Sequence, residues 1–139
     1  MELKVFSSLP EAAKQIREKV FIEEQGFTVE FDDIDETAVH LVLFDENSVP
    51  VATCRIFRDC EKDSYVLGRL AVIKEYRGKK LGAVMLNEAE RYVKQNGGKR
   101  IVLHAQQRVT EFYKKSGFQE FGDVDYEENC PHIHMKKYI

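Results

Sequence analysis

The sequence predicts an α+β fold in which a mixed central sheet of about six to seven strands carries helices on both faces. Several short apolar runs alternate at a period of two, as strands do, while others repeat at helical spacing. The elements follow in the order β-α-loop-β-β-β-α-β-α-β-β, with strands outnumbering helices around one sheet. A chain of 139 residues has the length of one domain, and we expect residues 1–139 to form it.

The first elements are a short strand and a helix. "LKVF" predicts the strand, and "SLPEAAKQIREKVF" predicts a helix with Ser8 as its amino-terminal cap and Pro10 in its first turn. The inward face of this helix would hold Ala12, Ala13, Ile16 and Val20. The acidic stretch that follows, residues 22–40, has little periodicity and predicts a loop or a broken helix that lies over another part of the molecule.

Three antiparallel strands and a long helix form the middle of the chain. "HLVLF" and "VPVATCRIF" flank the turn "DENS" and predict a hairpin, and "DSYVLGRLAVI" predicts the next strand. From Lys79 the period changes to about 3.6, and this helix ends at Gly97 and Gly98. "KRIVLHA" then predicts a buried strand, "QRVTEFYKKS" a short helix, and "FQEFGDV" with "HIHMKKY" a final hairpin.

Composition excludes several classes of function. A formal net charge of −3 disfavours binding to nucleic acid or to an anionic membrane surface. The sequence contains no run of 18 uncharged apolar residues and does not begin like a secretion signal, so we expect a cytoplasmic protein. Cys54, Cys60 and Cys130 are odd in number and scattered, which argues against a disulfide framework.

The stretch "EYRGKKLG", residues 75–82, places three cations where the long helix begins. Arg77, Lys79 and Lys80 would each destabilise the positive end of that helix by about 0.3–1 kcal/mol unless an anion lies there. Exposed N–H groups between a strand and a helix bind phosphate, and Gly78 and Gly82 would allow a close approach to the backbone. The turn therefore predicts a site for a phosphate-rich ligand, with a solvated surface turn as the alternative.

Two motifs resemble the GNAT superfamily of N-acetyltransferases. "LGRLAVIKEYRGKKLGAVMLNEAE" is similar to its acetyl-coenzyme A signature, [QR]-x-x-G-x-[GA], with Arg77 and Gly82 at the first and last positions. Lys80 replaces the usual central glycine, a departure that the loop tolerates on condition that Lys80 keeps a negative φ and so retains its N–H. "AQQRVTEFYKKSGF" resembles the later segment "NxxAxxFYxKxGF", with Gln106 in place of asparagine. "VFIEEQGF", "DDIDETAVH" and "CPHIHM" resemble the small bacterial ElaA-like subgroup.

The resemblance implies acetyl-CoA as co-substrate and a coenzyme A site built from three segments. Backbone groups of Leu70, Ala71 and Val72 would run along the pantetheine arm, with an N–H near Val72 facing the thioester oxygen. The pyrophosphate would be bound by Arg77, Gly78, Lys79, Lys80, Leu81, Gly82 and Ala83. The remaining predicted coenzyme-binding residues are Gln106, Phe112, Tyr113 and Lys115.

Acetyl transfer to an amine needs a neutral nucleophile and a proton for the departing sulfur. The resemblance implies Tyr113 as general acid, because a phenol with a pKa of about 10 is protonated at neutral pH; core packing is the alternative. Family members often carry a base glutamate on the strand before the phosphate loop, but "YVLGRLAV" contains no carboxylate. Glu24 and His40 are the predicted bases. Asp33, Asp35 and His104 are further candidates.

Two charge clusters compete for the acceptor substrate. The acidic one, which suits a cationic amine, contains Glu23, Glu24, Asp32, Asp33 and Asp35. Arg55 and Arg69 lie on neighbouring antiparallel strands and would instead attract a carboxylate or phosphate group. The predicted substrate-binding residues are Glu24, Gln25, Asp35, Arg55, Arg69 and His132, and the expected acceptor is a small-molecule amine.

No metal is expected at the alternating residues Cys130, His132 and His134. They share one face of a strand, but three ligands at a period of two are spread too far along it to close around one ion. His132 is better explained as a substrate-site or structural residue. The final "HIHMKKYI" either pairs with a second chain in a homodimer or uses its lysines to protect a sheet edge from pairing.

Two other functions stay open at this point. The missing strand glutamate favours a non-catalytic acyl-CoA-binding regulatory module, whereas Tyr113 favours an enzyme. Acetylation of a protein or peptide would require a long open groove. The acidic segment after Gly26 is placed to cover such a groove, which favours a small substrate.

Overall fold

The computed structural model describes residues 1–28, 30–59 and 63–139, so Cys60 lies outside the described residues. Its strands and α-helices are β1 (Glu2–Phe6), α1 (Glu11–Arg17), β2 (Val39–Phe44), β3 (Pro50–Asp59), β4 (Ser64–Val72), α2 (Leu81–Gln95), β5 (Arg100–Gln106), α3 (Thr110–Lys115), β6 (Gln119–Glu127) and β7 (Cys130–Tyr138). A π-helical segment, Glu18–Glu24, continues α1, and 3-10 turns cover Asp33–Glu36, Lys74–Tyr76 and Gln107–Val109.

The seven strands form one mixed sheet in the order β1-β2-β3-β4-β5-β7-β6. Neighbouring strands are antiparallel except β4 and β5, which run parallel because α2 carries the chain back between them. The predicted α+β class and mixed sheet are confirmed. The predicted hairpins are also present, as β2–β3 and β6–β7.

Helices pack on both faces of the sheet. Two adjacent residues of β3 point to opposite faces, one toward α1 and the other toward α3. Arg55 reaches Asp35, which also binds Arg17 of α1. Cys54 points to the other face and lies near Tyr113 of α3. The predicted inward residues Ala13, Ile16 and Val20 are buried, whereas Ala12 is half-buried.

The centre of the sheet splits where β4 and β5 separate. These strands pair only from Tyr65 with Ile101 to Leu67 with Leu103, although β4 continues to Val72 and β5 to Gln106. A bulge in β4 accompanies the split, and in it Arg69 has φ of +51°. The unpaired edge of β4 therefore faces an opening between the strands.

Two local predictions were wrong. The cap of α1 is Pro10, whose carbonyl accepts hydrogen bonds from the N–H groups of Ala13 and Lys14, and Ser8 lies before the helix. The strand "HIHMKKY" is not a sheet edge, because β7 pairs on one side with β5 and on the other with β6. The edges of this sheet are β1 and β6.

Candidate active site

A cavity of about 570 Å³ lies in the opening between β4 and β5. Predicted site residues from six parts of the chain line it: Gln25, Arg55, Arg69, Leu70, Gln106, Tyr113 and His132. Two of them meet directly, since Gln106 Nε2 donates to Gln25 Oε1 at 2.8 Å. The structure therefore joins the end of β5 to the segment after the π-helix at the mouth of the cavity.

Tyr113 lines this cavity from α3. Its ring packs edge-on against Phe112 and Phe118, with centroids 5.0 Å and 6.0 Å apart. Burial raises the pKa of its phenol above the ordinary value, so the hydroxyl stays protonated at neutral pH. The two interpretations of this tyrosine are thus compatible, because packing holds the ring while the side chain still borders the cavity.

The acidic segment and the predicted arginine pair bind each other. Their ionic cluster, which we call the arginine–carboxylate network, consists of Arg17, Arg55, Arg69, Glu30, Asp32 and Asp35. Arg17 is 1% exposed and joins Glu30 to Asp35 through contacts of 2.9 Å and 2.8 Å. Asp32 and Asp35 of the predicted acidic cluster therefore neutralise the two predicted arginines, so these charges are not available to a substrate.

Within this network the carboxyl groups differ in how readily they take a proton. Burial opposes ionisation of Asp35, but hydrogen bonds from Arg17 and from the Asp32 backbone hold its pKa well below its usual range. Asp32 likewise has a lowered pKa, because Arg55 outweighs its partial burial. Glu30 is the exception: burial raises its pKa despite Arg69 and Arg17.

Glu30 is also the network carboxylate that borders the cavity. Glu127 and Glu128 line the cavity too, but both are exposed, whereas Glu30 is 5% exposed. Glu30 is not among the residues predicted for the site, although it opens the acidic run "EFDDIDE". Its position depends on Arg17 and Arg69, which come from distant parts of the chain, so the sequence offered no local signal for it.

The basic turn lies at the amino terminus of α2. Lys80 is the cap residue of α2 and has φ of +63°, so the condition of a negative φ at this position is not met. It adopts the left-handed conformation that glycine takes most easily, and Gly78, two residues before it, also has positive φ, +82°. No side chain caps this helix end, which leaves backbone N–H groups of the first turn directed outward.

The cations of the turn have few acidic partners. The Arg77 Nη2 donates to Glu24 Oε1 at 2.8 Å, and the Arg77 Nε donates to the carbonyl of Val72 at 3.0 Å. Lys79 lies over the ring of Tyr76, 4.7 Å from its centroid. Among the described residues, neither Lys79 nor Lys80 forms an ion pair with a carboxylate.

Gly82 is required by packing within the protein. A Cβ atom at this position would lie 2.9 Å from the ring of Phe112, closer than side chains normally approach. The glycine therefore lets α3 pack against the start of α2 and holds Phe112 and Tyr113 beside the turn. Leu81 is buried, Ala83 is half-buried and Lys115 is exposed at the end of α3.

The structure does not bring the two predicted bases to the cavity. Glu24 lies on the outside of the π-helix, where its hydrogen bond with Arg77 lowers its pKa. His40 is 1% exposed and its Nε2–H donates to the carbonyl of Asp35 at 3.0 Å, and burial lowers its pKa. Neither is among the residues that line the cavity, and neither is Asp35.

A second group of titratable residues lies where β5, β6 and β7 meet. His104 and His132 line the cavity, and their ring centroids are 4.8 Å apart. Glu127 connects them, with Oε1 3.3 Å from His104 Nδ1 and Oε2 3.2 Å from His132 Nε2. His134 and Asp125 adjoin His104 on the same side of the sheet.

This geometry agrees with a known family. The family model described as Acetyltransferase (GNAT) domain matches residues 9–139, almost the whole chain. The chain belongs to the GNAT acetyltransferase family. This GNAT protein is accordingly a transferase, and the predicted resemblance to the superfamily is confirmed.

Individual relatives of this GNAT protein extend the match. The Bacillus subtilis protein YyaT is 35% identical to it over 140 residues, which cover 96% of this chain and 90% of YyaT. Escherichia coli ElaA has a crystal structure that matches it with a TM-score of 0.84, at 29% identity and with 98% of each chain covered.

A more distant structure shares the fold alone. An aminoglycoside 6'-N-acetyltransferase in complex with coenzyme A is 18% identical and matches with a TM-score of 0.77, covering 99% of this chain and 97% of its own. In the described part of the GNAT protein, no helix is both long and apolar enough to cross a bilayer.

Proposed function

We propose that this protein transfers the acetyl group of acetyl-CoA to a primary amine of a small molecule, by direct attack and with Tyr113 as general acid. The observation that carries the proposal is the cavity between the separated strands β4 and β5, which Tyr113 borders. A volume of about 570 Å³ lies within the range of small-molecule sites.

The basic turn is the proposed binding site for the pyrophosphate of the coenzyme. Uncapped N–H groups at the start of α2 and the cations at 77, 79 and 80 together favour an anion there. Coenzyme A bound to the aminoglycoside acetyltransferase of the same fold supports this assignment. The pantetheine arm would then run along the unpaired edge of β4, next to Leu70, Ala71 and Val72.

The reaction joins the amine nitrogen to the carbonyl carbon of the acetyl group and breaks the carbon–sulfur bond. Tyr113 gives its phenolic proton to the departing sulfur, because its raised pKa keeps that proton in place beforehand. The attacking nitrogen loses a proton as the new bond forms. The products are the N-acetylated amine and the free thiol of coenzyme A.

Glu30 is the proposed acceptor of the proton that the nitrogen loses. A general base works best when its pKa lies near the working pH, and burial moves the pKa of Glu30 upward while Asp32 and Asp35 stay ionised. Glu30 also borders the cavity, unlike Asp35. It would take over the role of the glutamate that β4 does not carry.

The test measures thiol release from acetyl-CoA with a panel of small amines. Tyr113→Phe should lower kcat by about 10²–10⁴-fold and leave coenzyme A affinity unchanged, because only the proton donor is lost. Tyr126→Phe is the matched control, since Tyr126 is 69% exposed on β6. Equal rates in both variants would exclude Tyr113 as the acid. Tight coenzyme binding without turnover on any amine would favour a binding module.

A second variant tests the base. Glu30→Gln keeps an oxygen that can accept hydrogen bonds from Arg17 and Arg69, so the fold should be retained. We expect a large loss of kcat and the disappearance of the acidic limb of the pH–rate profile. A variant that is slower but retains that limb would show that Glu30 only positions its neighbours.

A further inference from the structure

Three strands bring two imidazoles and a carboxylate together beside the cavity. His104 of β5 lies directly opposite His134 of β7, and their rings stack with centroids 4.3 Å apart. Asp125 of β6 completes the group, and the three side chains can each offer a ligand atom within 4.8 Å of the others. The cluster requires nothing from coenzyme A or from the acceptor amine.

A bulge in β6 directs Asp125 toward the histidines. Phe121 pairs with His134, but the next recorded pair joins Asp125 to His132, so β6 has two more residues than β7 over this stretch. Gly122, with φ of +76°, lies in the bulge. Bulges change the direction of side chains that would otherwise alternate regularly, and here the result is a third donor over the histidine pair.

The surroundings of His104 favour a bound cation. Its Nε2 lies 2.6 Å from Asp125 Oδ1 and its Nδ1 lies 3.3 Å from Glu127 Oε1. The two carboxylates therefore lie at opposite ring nitrogens, so one nitrogen can coordinate an ion that Asp125 shares while the other donates its N–H to Glu127.

We propose that His104, His134 and Asp125 bind a zinc ion. Glu127 would then accept the Nδ1–H of His104 and leave Nε2 to coordinate the metal, which is the usual outer partner of a metal-binding histidine. Three protein ligands leave a fourth tetrahedral position open. Two imidazoles favour zinc over calcium or magnesium, which prefer all-oxygen sites.

The ligand separations suit such a site after small side-chain movements. Zinc–ligand bonds of about 2.0–2.2 Å place tetrahedral ligand atoms about 3.3 Å apart, between the shortest contact here, 2.6 Å, and the longest, 4.8 Å. The Asp125 side chain is 56% exposed, so little packing opposes a small rotation of its carboxylate about its contact with His104. The backbone pairing of β5 with β7 keeps the two histidines in register.

Spacing in the sequence argues against a metal only for ligands that all lie along β7. Cys130, His132 and His134 do alternate on that strand. The proposed site uses only one of them and takes its other ligands from β5 and β6. Pairing across strands brings these side chains closer than spacing along one strand does.

Zinc binding to the purified protein tests the proposal by titration calorimetry, with Co²⁺ absorption as a report on tetrahedral geometry. We expect one ion per chain. His134→Gln and Asp125→Asn should each weaken zinc binding by at least about tenfold, and Glu127→Gln by about 10-fold through loss of the outer partner. Asp123→Asn, an exposed aspartate on the same strand, should change nothing.

Two outcomes would overturn the proposal: no binding of zinc, or equal binding to Asp125→Asn, His134→Gln and Asp123→Asn. Both are independent of acetyl transfer, since the measurement needs neither coenzyme nor amine. Circular dichroism of the variants verifies that they are folded, so a lost site is distinguished from a lost fold.

Discussion

The arginine–carboxylate network and the basic turn at 77–80 both concentrate arginine or lysine, but their charges are balanced differently. In the network each guanidinium meets carboxylates from the acidic segment, and Arg17 and Arg55 are almost fully buried. In the turn, Arg77 has one exposed partner and the described residues supply no carboxylate to Lys79 or Lys80.

This difference distinguishes charges that stabilise the fold, which are paired inside the protein, from charges that are available to bind a ligand. A buried ion pair must be complete, because a charge left alone in the core is very unfavourable. An exposed cation at a helix amino terminus lowers stability only slightly when it has no partner. It interacts favourably with an anion that binds there. We therefore expect changes in the network to alter stability, and changes in the turn to alter affinity for coenzyme A.

The largest expected effect is in the network. Arg17→Met should lower the free energy of unfolding by about 3–5 kcal/mol, because Glu30 and Asp35 would keep buried charges without their shared partner. Urea denaturation followed by circular dichroism measures the change.

Arg77→Met is the matched control for that substitution. It removes an exposed ion pair and should change the free energy of unfolding by about 0–1 kcal/mol. Similar losses in the two variants would contradict the distinction between structural and available charge.

The second effect concerns coenzyme A. Replacing Lys79 and Lys80 together by glutamine should weaken coenzyme binding about tenfold, or roughly 1.4 kcal/mol. The difference from the unmodified protein should shrink at high salt, because exposed charges are screened. Calorimetric titration at low and high salt measures both quantities. An unchanged Kd would place the phosphate groups elsewhere.

Much of this fold was predictable because its signals are local. Periodicity located α2, whose residues Met85, Ala89 and Val93 are buried, and Gly97 ends it with φ of +79°. The β2–β3 hairpin follows from two apolar runs around a polar turn.

The interior of the site was less predictable because its contacts are distant along the chain. Arg17 lies four residues after Ala13, at the border of the apolar face of an amphipathic helix, where an arginine usually reaches solvent. Its burial depends on carboxylates at positions 30 and 35. The same limit applied to Glu30 and to the histidines of β5 and β7, which become neighbours only through strand pairing.

The third effect concerns the left-handed backbone conformation of Lys80 in the basic turn. Lys80→Gly should raise the free energy of unfolding by up to about 1 kcal/mol, because a left-handed conformation is strained for a residue with a Cβ atom. Thermal unfolding without coenzyme measures the gain. Lys80→Val should have the opposite sign. If the glycine variant is less stable, the contacts of the Lys80 side chain stabilise the fold by more than its left-handed backbone destabilises it.

The smallest expected effect is at the contact that joins the turn to the π-helix. Arg77 holds Glu24 in the free protein, so a coenzyme phosphate must compete with that carboxylate. Glu24→Gln should therefore tighten coenzyme binding by about 0.2–1 kcal/mol, at most roughly fivefold in Kd. Glu23→Gln, an exposed neighbour, is the control.

The gain from Glu24→Gln should vanish when Arg77 is also replaced by methionine, since the two residues act on binding through one contact. The same variant examines the earlier interpretation of Glu24 as a base. A side chain that only restrains Arg77 can be neutralised without loss of kcat, whereas a proton acceptor cannot. Tighter coenzyme binding with unchanged kcat would show that Glu24 only restrains Arg77. A large loss of kcat would support Glu24 as the general base.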